Sequence, residues 1–446
     1  MKKICVLIVL LLVSLIGISG CGTDGGLSPD NPVTLTMWHV YGEQADSPMN
    51  RLVEEFNETV GREKGILINI TMMSNTAQIG EFLKKSKSNN PGSPEMPDLF
   101  FAIKNNALEL GIDNLIDWNN CFTEEERTEF IEEFMMDGIE NEKLIVLPVS
   151  KSTHMLFMNG SQFKKFSEDM GGISEDNLST WTGFFDVAQQ YYNWSDGKSF
   201  CAFDYLLRCV DLNALSRGGD GFYSNEDGYD FNNKELKEAW MQFARALVQG
   251  HVTISDLYSN TQVMTGEALA GMGSSAAVLY YNDVVTYADN TSEPINLMIL
   301  PMPYAANGEP LMTQTGVGLC GHKTTEEKEA AMSVFAHWLV DSQRNLDFVV
   351  ETGYMPVKKD SFEKINDYVF EDDSRKELYS SLGKMITEYK ALPEPYLASY
   401  YAKVKELYDQ LRERQPEFIE RIANGETVED VAEETWWIFS DIFNKN

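Results

Sequence analysis

The sequence predicts an α/β fold made of two lobes. Strand patterns alternate with amphipathic helix patterns along most of the chain, which is typical of sheets whose strands are joined by helical crossovers. About 415 residues follow the N-terminal targeting segment and tether, more than one hydrophobic core usually holds, so two lobes are expected. The crossovers also predict parallel sheets with both faces covered by helices.

The first elements follow the two periodicities closely. Every second residue of 33–37 is apolar, which predicts a strand. Apolar residues then recur at helical spacing over 49–56, where i, i+3, i+4 and i+7 share one face. Residues 66–72 and 99–103 are predicted as the next two strands.

The later chain repeats this alternation and ends in helices. Residues 144–149, 155–158 and 295–300 are predicted as strands. Thr324 and Glu327 form a predicted capping box at the start of an amphipathic helix. The C-terminal part of the chain is predicted to be mainly helical.

An export signal precedes these elements. Lys2 and Lys3 are followed by an apolar run to about Ile16, which is too short to span a bilayer comfortably. Ile18-Ser19-Gly20-Cys21 resembles the cleavage site of bacterial lipoprotein signals, in which the cysteine thiol is acylated.

We therefore expect residues 1–20 to be removed as a signal peptide and Cys21 to carry the lipid. Residues 21–31 are rich in glycine and small polar residues and are predicted to be a flexible tether. These features predict a protein anchored on the extracytoplasmic face of a bacterial cell membrane. A secreted protein without a lipid is the alternative.

The formal net charge of −33 limits the partners that are expected. Such a charge repels phosphate backbones, so a nucleic-acid partner is not expected. It also weakens the case for an anionic ligand, although a local basic pocket can override the global charge.

Cysteine spacing indicates neither a metal site nor a redox site. Cys121, Cys201, Cys209 and Cys320 form no C-x-x-C pair and no histidine cluster lies near them, so no metal and no cofactor are predicted. A disulfide between Cys201 and Cys209 is one interpretation. Their spacing also fits two turns of one buried helix, and two free, buried thiols are favoured.

Catalytic motifs are incomplete, and no enzyme activity is predicted. Residues 316–321 match G-x-G-x-x-G, but Val317 and Leu319 follow a strand pattern where a dinucleotide site needs a helix to begin. Residues 273–277 approach the nucleophile elbow G-x-S-x-G but end in alanine. A glycosidase acid and base among the many carboxylates stay an open alternative.

Aromatic and small polar residues follow the predicted strands, where open parallel sheets bind their ligands. His39 and Tyr41 follow the first strand, Asn75 the second and Lys104 the third. Pyranose rings present C–H faces that stack on aromatic side chains and hydroxyls that need polar partners. The pattern therefore favours a saccharide, while core packing of the aromatics is the alternative.

Several segments together resemble the family 1 extracellular solute-binding proteins of ABC importers, and within it the sugar and glycerol-3-phosphate binders. They are residues 34–39, 147–148, 157–159, 180–181, 266–273, 300–303 and 352–357. Their order spans nearly the whole chain after the signal, and the Thr-Gly-Tyr-Met-Pro sequence at 352–356 is the most specific.

The resemblance implies a type II periplasmic-binding-protein fold, with two α/β lobes around a ligand cleft that closes by a hinge motion. It places residues 32–148 and 297–351 in lobe 1, and 149–296 and 352–446 in lobe 2. It also implies a monomer that delivers its small-molecule ligand to the transmembrane subunits of an ABC permease.

By the same resemblance, we expect the ligand to be bound by residues at the strand ends and at the chain crossings. These are His39 or Tyr41, Asn75, Lys104, Ser150, Ser152, Tyr205, Ser274, Ser275, Gly316 and Tyr354. Glycerol-3-phosphate binders of this type use an arginine that follows a C-terminal Leu-Pro motif, and residues 392–401 contain none. A neutral mono- or oligosaccharide is therefore favoured over glycerol-3-phosphate or a glycerophosphodiester.

Overall fold

The computed structural model describes residues 26–41, 47–73, 76–256, 258–365, 367–370, 372–395, 397 and 399–444. The predicted signal peptide, the lipidation site Cys21 and the predicted ligand residue Asn75 lie outside the described residues. Among the described residues, no helix has the length and apolar character needed to cross a membrane.

The strands, in chain order, are β1 (Val33–His39), β2 (Ile66–Met72), β3 (Leu99–Ala102), β4 (Ile139–Glu140), β5 (Lys143–Leu144), β6 (Leu147–Pro148), β7 (His154–Asn159), β8 (Ser199–Phe203), β9 (Tyr223–Ser224), β10 (Gly228–Tyr229), β11 (Val252–Ile254), β12 (Ala268–Ser274), β13 (Val284–Thr286), β14 (Ser292–Pro294), β15 (Leu297–Pro301), β16 (Leu311–Gln314), β17 (Gly318–Gly321) and β18 (Lys390–Pro393).

The α-helices are α1 (Pro48–Phe56), α2 (Arg62–Lys64), α3 (Thr76–Ser88), α4 (Lys104–Leu108), α5 (Glu124–Thr128), α6 (Glu132–Asp137), α7 (Gly160–Asp169), α8 (Trp181–Trp194), α9 (Leu206–Ser216), α10 (Lys234–Val248), α11 (Ser259–Met264), α12 (Glu326–Leu339), α13 (Ser342–Thr352), α14 (Lys359–Ile365), α15 (Asp373–Glu388), α16 (Tyr400–Ala423) and α17 (Val428–Asn444). A π-helical turn, Asn57–Gly61, separates α1 from α2.

Two five-stranded sheets confirm the predicted α/β fold with two lobes. The first lobe is built on the sheet with strand order β2-β1-β3-β17-β6, and the second lobe on the sheet with order β11-β8-β12-β7-β15. Within each sheet, the strands that helices connect pair in parallel, as β1 does with β2 and β12 with β8.

The sheets are mixed rather than parallel throughout, so that part of the prediction was wrong. β17 runs antiparallel to β3 and β6, and β7 runs antiparallel to β12 and β15. These antiparallel strands lie next to the places where the chain passes between the lobes. Helical periodicity cannot reveal them, because their direction depends on where the chain returns.

The strand pairing also moves two of the predicted lobe boundaries. β15 was assigned to lobe 1 from residue 297, but it pairs with β7 in the second sheet, so the second passage follows β16 and precedes β17. The segment after Thr352 stays with the first lobe, since the Ile131 N–H donates to the Val357 carbonyl at 3.0 Å. α15 then packs against β15 of the second lobe.

Each lobe buries aromatic side chains between its sheet and helices. In the first lobe, Phe56 of α1 packs edge-on against Phe335 and Trp338 of α12. In the second, the Trp240 ring stacks on Phe439 at 4.5 Å, and its indole N–H donates to a threonine of the final helix. The final helix, α17, therefore packs against α10, and the prediction that the C-terminal part of the chain is mainly helical is confirmed.

Cys201 and Cys209 are both free and buried, as favoured from the sequence. They do not share a helix, however, because Cys201 lies in β8 and Cys209 in α9. The predicted capping box of Thr324 and Glu327 was wrong, because the helix begins one residue later than such a box requires. Thr325, not Thr324, caps α12, with its hydroxyl accepting from the Lys328 N–H at 3.3 Å.

The chain crossings run side by side and are joined by hydrogen bonds. Ser152 and Thr315 exchange two backbone hydrogen bonds, of 2.8 and 3.0 Å, and Lys151 pairs with Met355 in the same way. Asn345, fully buried, accepts from the Val357 N–H and donates to the Val149 carbonyl at 2.6 Å. These contacts hold the crossings in one layer beneath the cleft.

Replacing Asn345 by alanine is expected to lower the free energy of unfolding by about 1 to 3 kcal/mol, because a buried carbonyl and a buried N–H both lose their partner. Urea denaturation, with the slope of the transition unchanged, measures the loss. The exposed Asn424→Ala is the matched control, and equal stability of the two variants would contradict the role given to Asn345.

Candidate ligand-binding site

A cavity of about 450 Å³ lies between the two lobes, where the carboxyl ends of β1, β8 and β12 come together. Parallel strands of open sheets place their ligands at this edge. The first lobe contributes Val40, Tyr41, Pro48 and Thr76, and the second Asp204, Tyr205, Tyr258, Asn260, Thr261, Ser274, Ala276, Ala277, Leu279 and Tyr280; Thr352 and Tyr354 complete the lining.

Tyr205 offers a flat aromatic surface at the end of β8. One face of its ring stacks on the His154 imidazole, with the ring centres 4.5 Å apart and the planes 4° from parallel. The side chain is still 38% exposed, so part of the ring is left open to the cavity.

His154 supports this ring as a neutral group. It is fully buried, and neither ring nitrogen has a hydrogen-bond partner among the described residues. Burial, and to a lesser degree the nearby Arg208 charge, lowers the pKa of His154 to about 3. The imidazole is therefore uncharged at physiological pH. Its flat ring supports one face of the Tyr205 ring.

Asp204 is a carboxylate held in place by two serines. Its Oδ1 accepts from the Ser255 hydroxyl at 2.7 Å and from the Ser259 N–H at 2.6 Å, and its Oδ2 accepts from the Ser259 hydroxyl at 3.0 Å. Burial raises the pKa of Asp204 to about 6, although these hydrogen bonds act in the opposite direction.

Glycine at position 273 makes room for this carboxylate. A Cβ added to Gly273 would lie 2.5 Å from Oδ2 of Asp204, which is closer than a real contact allows. The neighbouring strand β12 therefore needs a residue without a side chain at this point.

Tyr41 closes the cavity from the first lobe. Its hydroxyl hydrogen-bonds the Ser150 hydroxyl at 3.0 Å, which ties the end of β1 to the first crossing segment. Its ring packs edge-on against Phe101, Phe348 and Tyr354, at centre distances of 5.1, 5.2 and 6.0 Å. Tyr41 and Tyr354 thus form one continuous aromatic wall.

Tyr354 is positioned by the turn that ends α13. Gly353 adopts a φ of +74°, and a Cβ there would lie 2.9 Å from Val278, so the turn requires glycine. The Tyr354 carbonyl accepts from the buried Tyr379 hydroxyl at 2.6 Å. The backbone around Tyr354 is therefore fixed from both sides.

Asp204 is the one formally charged side chain among the described residues that line the cavity. The undescribed segments 42–46 and 74–75, which adjoin lining residues along the chain, contain no lysine or arginine in their sequence. The site therefore supplies hydrogen-bonding groups and aromatic surface, with negative rather than positive charge.

Of the residues predicted from the sequence, Tyr41, Tyr205, Ser274 and Tyr354 line this cavity. The remaining described ones do not. His39 is buried behind the wall, where Asn50 lies 2.9 Å from its Nε2 and the Tyr41 N–H donates to its Nδ1 at 3.2 Å. Of these two alternatives, Tyr41 is the one that lines the cavity.

The other predicted residues that the structure describes lie outside the lining. The Lys104 ammonium donates to the Ile139 carbonyl at 3.2 Å and lies 3.6 Å from Glu140. Ser150 holds Tyr41, and Ser152 pairs with the second crossing segment. The remaining two are Ser275, which is fully buried, and Gly316, which lies against the Ser150 backbone at a φ of +126°.

The G-x-G-x-x-G match at 316–321 lies outside the lining of this cavity, whereas the incomplete nucleophile-elbow match at 273–277 contributes Ser274, Ala276 and Ala277 to it. Strand β17 occupies the second half of the G-x-G-x-x-G match, which confirms the strand pattern of that segment. Among the described residues, no three His, Cys, Asp or Glu side chains converge as a metal site would require.

Comparison with known proteins identifies the family. A model of the bacterial extracellular solute-binding proteins matches residues 51–374, well over half of the chain. The chain belongs to this family. No curated protein sequence matches it significantly.

Solved structures share the fold of this solute-binding protein at low sequence identity. The cyclic alpha-maltosyl-1,6-maltose binding protein from Arthrobacter globiformis is 17% identical with a TM-score of 0.68, covering 93% of this chain and 100% of that one. Maltose-bound MalE3 from T. maritima is 18% identical with a TM-score of 0.63, covering 92% and 99%.

UgpB from Mycobacterium tuberculosis, in complex with glycerophosphocholine, is 12% identical with a TM-score of 0.66, covering 92% and 98%. Together these similarities show the type II fold of periplasmic sugar-binding proteins. The predicted fold class is therefore confirmed.

Sequence reasoning missed several lining residues of the solute-binding protein, among them Asp204, Tyr258, Asn260 and Tyr280. Asp204 could have been predicted from the sequence, because it directly follows the apolar strand β8. Tyr41 was predicted for a similar reason, since it lies two residues after the end of β1. Of the other three, Asn260 lies in α11, Tyr258 directly precedes it and Tyr280 ends a 3-10 helix, and only the folded chain brings these segments to the cleft.

Replacing Asp204 by asparagine is expected to stabilise the protein by about 1 to 2 kcal/mol at pH 7.5 and to have little effect below pH 4. The folded-state pKa of about 6 exceeds the ordinary 3.8, so the folded protein gains stability from the bound proton at low pH and loses it as the pH rises through 6. Asparagine does not ionise. Its Oδ1 can still accept from the Ser255 hydroxyl and the Ser259 N–H, while its Nδ2 donates to the Ser259 hydroxyl oxygen, which reverses the direction of that bond.

Thermal unfolding from pH 4 to pH 8 measures this difference. Asp113→Asn, at a side chain that is 90% exposed, is the control and should show no such window. A constant difference between Asp204→Asn and the wild type across this pH range would contradict the assignment.

Proposed function

We propose that this protein is the substrate-binding component of an ABC importer, which captures a neutral saccharide in its cleft and delivers it unchanged to the membrane permease. The observation that carries the proposal is the site around Tyr205. An aromatic ring backed by a neutral imidazole lies next to a carboxylate, in a cavity whose described lining contains no cation.

This combination suits a sugar for a definite physical reason. The C–H face of a pyranose stacks on an aromatic ring, while its hydroxyls need donors and acceptors around the rim. Tyr205 supplies the ring, Asp204 a strong acceptor, and Asn260, Thr261 and Ser274 the remaining polar groups. A carboxylate is worth more to a hydroxyl than a neutral acceptor because the hydrogen bond is charge-assisted.

The solved structures with similar folds support the same substrate class. Two of those compared above are named for maltose or a cyclic maltose derivative. UgpB with glycerophosphocholine supports the alternative, a glycerophosphodiester or glycerol-3-phosphate. That alternative is disfavoured here, since a phosphate next to Asp204 would face like charge without a compensating cation.

The cavity is lined by residues of both lobes, which supports capture of the ligand by closure of the lobes. Tyr41 comes from the first lobe and Tyr205 from the second, so a ligand that touches both favours the closed arrangement over the open one. The hydrogen-bonded crossing segments beneath the cleft are the natural hinge. Binding and release then need no covalent step.

A glycoside hydrolase is a less supported alternative. Hydrolysis of a glycosidic bond requires two carboxyl groups about 5 to 9.5 Å apart on either side of the bond. The described lining of the cleft contains a single carboxylate, Asp204, and its pKa of about 6 is explained by burial.

The sequence of the N-terminal segment completes the proposal. We infer that residues 1–20 are a signal peptide, that Cys21 is acylated and that residues 21–31 tether the protein to the outer face of the cell membrane. A monomer held in this way stays close to the permease while its lobes remain free to close.

A thermal-shift screen tests the substrate class. At a hundredfold excess over Kd, a ligand stabilises the folded protein by about 2.7 kcal/mol. We expect a clear rise in the unfolding temperature with at least one neutral saccharide, and none with glycerol-3-phosphate or glycerophosphocholine. The saccharide recovered afterwards should be chemically unchanged.

The variants Tyr205→Ala and Tyr205→Phe serve as a matched pair in this screen. Alanine removes the ring and should abolish the shift, whereas phenylalanine keeps the ring and should preserve most of it. A shift with the phosphate compounds alone would overturn the saccharide assignment, and release of hydrolysis products would overturn the transport role.

Metabolic labelling with a fatty-acid analogue in a lipoprotein-processing bacterium tests the anchor. The wild-type protein should carry the label and sediment with membranes, and Cys21→Ser should lose both properties because the acylated thiol is gone. Cys121→Ser is the control and should remain labelled. Label retained in Cys21→Ser would exclude this residue as the lipidation site.

A further inference from the structure

A second cavity, of about 390 Å³, lies next to the interlobe cavity and shares Asp204 and Tyr205 with it. This second cavity is enclosed by the start of α9, the segment after β11 and the start of α16. Its other lining residues are Arg208, Ser255, Asp256, Glu394, Tyr400, Tyr401, Val404, Lys405, Tyr408, Asp409 and Arg412.

Tyr205 stands at the junction of the two cavities. Burial is the main reason that its pKa is raised, followed by the charge of Asp204, and then by Glu394 on one side and Tyr258 and Tyr354 on the other. The Tyr205 hydroxyl is therefore within electrostatic reach of groups from both cavities. A ligand that contacts this ring can continue in either direction.

The second cavity repeats the chemistry of the first. The Tyr401 side chain is 56% exposed, and its hydroxyl donates to Oε2 of Glu394 at 3.2 Å. An aromatic ring beside a half-buried carboxylate is the same pair of groups that Tyr205 and Asp204 provide. Burial also raises the pKa of Glu394, as it does for Asp204.

The basic residues of the second cavity are already engaged by protein groups. Lys405 and Arg412 both pair with Asp409, and Arg412 also lies 3.3 Å from Asp256. The Arg208 guanidinium donates to the Thr313 hydroxyl and to the carbonyls of residues 392 and 393. The cavity therefore suits a neutral polar ring better than an anion.

We propose that the ligand is an oligosaccharide that occupies both cavities, with one sugar ring on Tyr205 and Asp204 and the next ring on Tyr401 and Glu394. This inference rests on the proposed function and makes it more specific, because it excludes a monosaccharide as the preferred ligand. The second subsite is then formed by α16 together with Glu394, which directly follows β18.

Calorimetric titration with saccharides of increasing length tests the inference. The probes are the one- to four-ring members of the α-1,4-, α-1,6- and β-1,4-linked glucans, the β-1,4-mannans and the β-1,4-xylans. In the series that binds, affinity should rise by about tenfold or more from one ring to the longer members, since the second ring gains the aromatic contact with Tyr401.

Variants separate the two subsites. Tyr401→Ala should bring the four-ring saccharide down to the affinity of the single ring, while Tyr401→Phe should keep most of the gain. Tyr205→Ala should weaken every member of the series. Trp437→Ala, which removes a 61% exposed aromatic side chain outside both cavities, should leave all affinities unchanged.

The possible failures are distinct. Binding that is equal for one and four rings, or a length dependence that Tyr401→Ala does not alter, would overturn the two-subsite inference while leaving the saccharide function in place. No binding in any of the series would overturn the saccharide function itself, and the inference with it.

Discussion

The stacking of Tyr205 on the buried imidazole of His154 is the contact on which the binding site depends. It requires a histidine that stays neutral, and burial in the second lobe ensures this by lowering the pKa to about 3. It also requires β7, which begins at His154, to lie next to β12 in the sheet. The aromatic surface of the cleft therefore depends on the antiparallel position of β7 in the second sheet.

The charge of the cleft near this contact has the same sign as the net charge of the protein. The protein is strongly acidic, and the cleft shares that character, because Asp204 is stabilised by serine hydrogen bonds rather than by a cation. Glycine at position 273 leaves space for the carboxylate. Ionisation of this half-buried carboxylate lowers the stability of the folded protein at neutral pH, and groups with a pKa shifted in this way are concentrated at functional sites.

The fold was largely predictable from sequence because strands and helices are set by local periodicity. Strands β1, β2 and β3 and helices α1, α12 and α17 lie close to where the apolar patterns predicted them. The boundary between lobes near residue 297 was wrong, since β15 looks like any other strand and only its pairing with β7 places it in the second sheet. Thr324 and Thr325 are likewise equivalent as caps in sequence, and the backbone selects the second.

The sequence by itself determined the α/β class and the family resemblance. The strand-end rule pointed to Tyr41, and the resemblance pointed to Ser274 and Tyr354, and all three line the interlobe cavity. Only the tertiary structure decided that His39 and Lys104 are occupied by other partners, and that Asp204, Tyr258 and Tyr401 surround Tyr205. The physical reason is that periodicity records which side of an element is buried. Which side chains meet across a cleft depends on contacts between segments far apart in the chain.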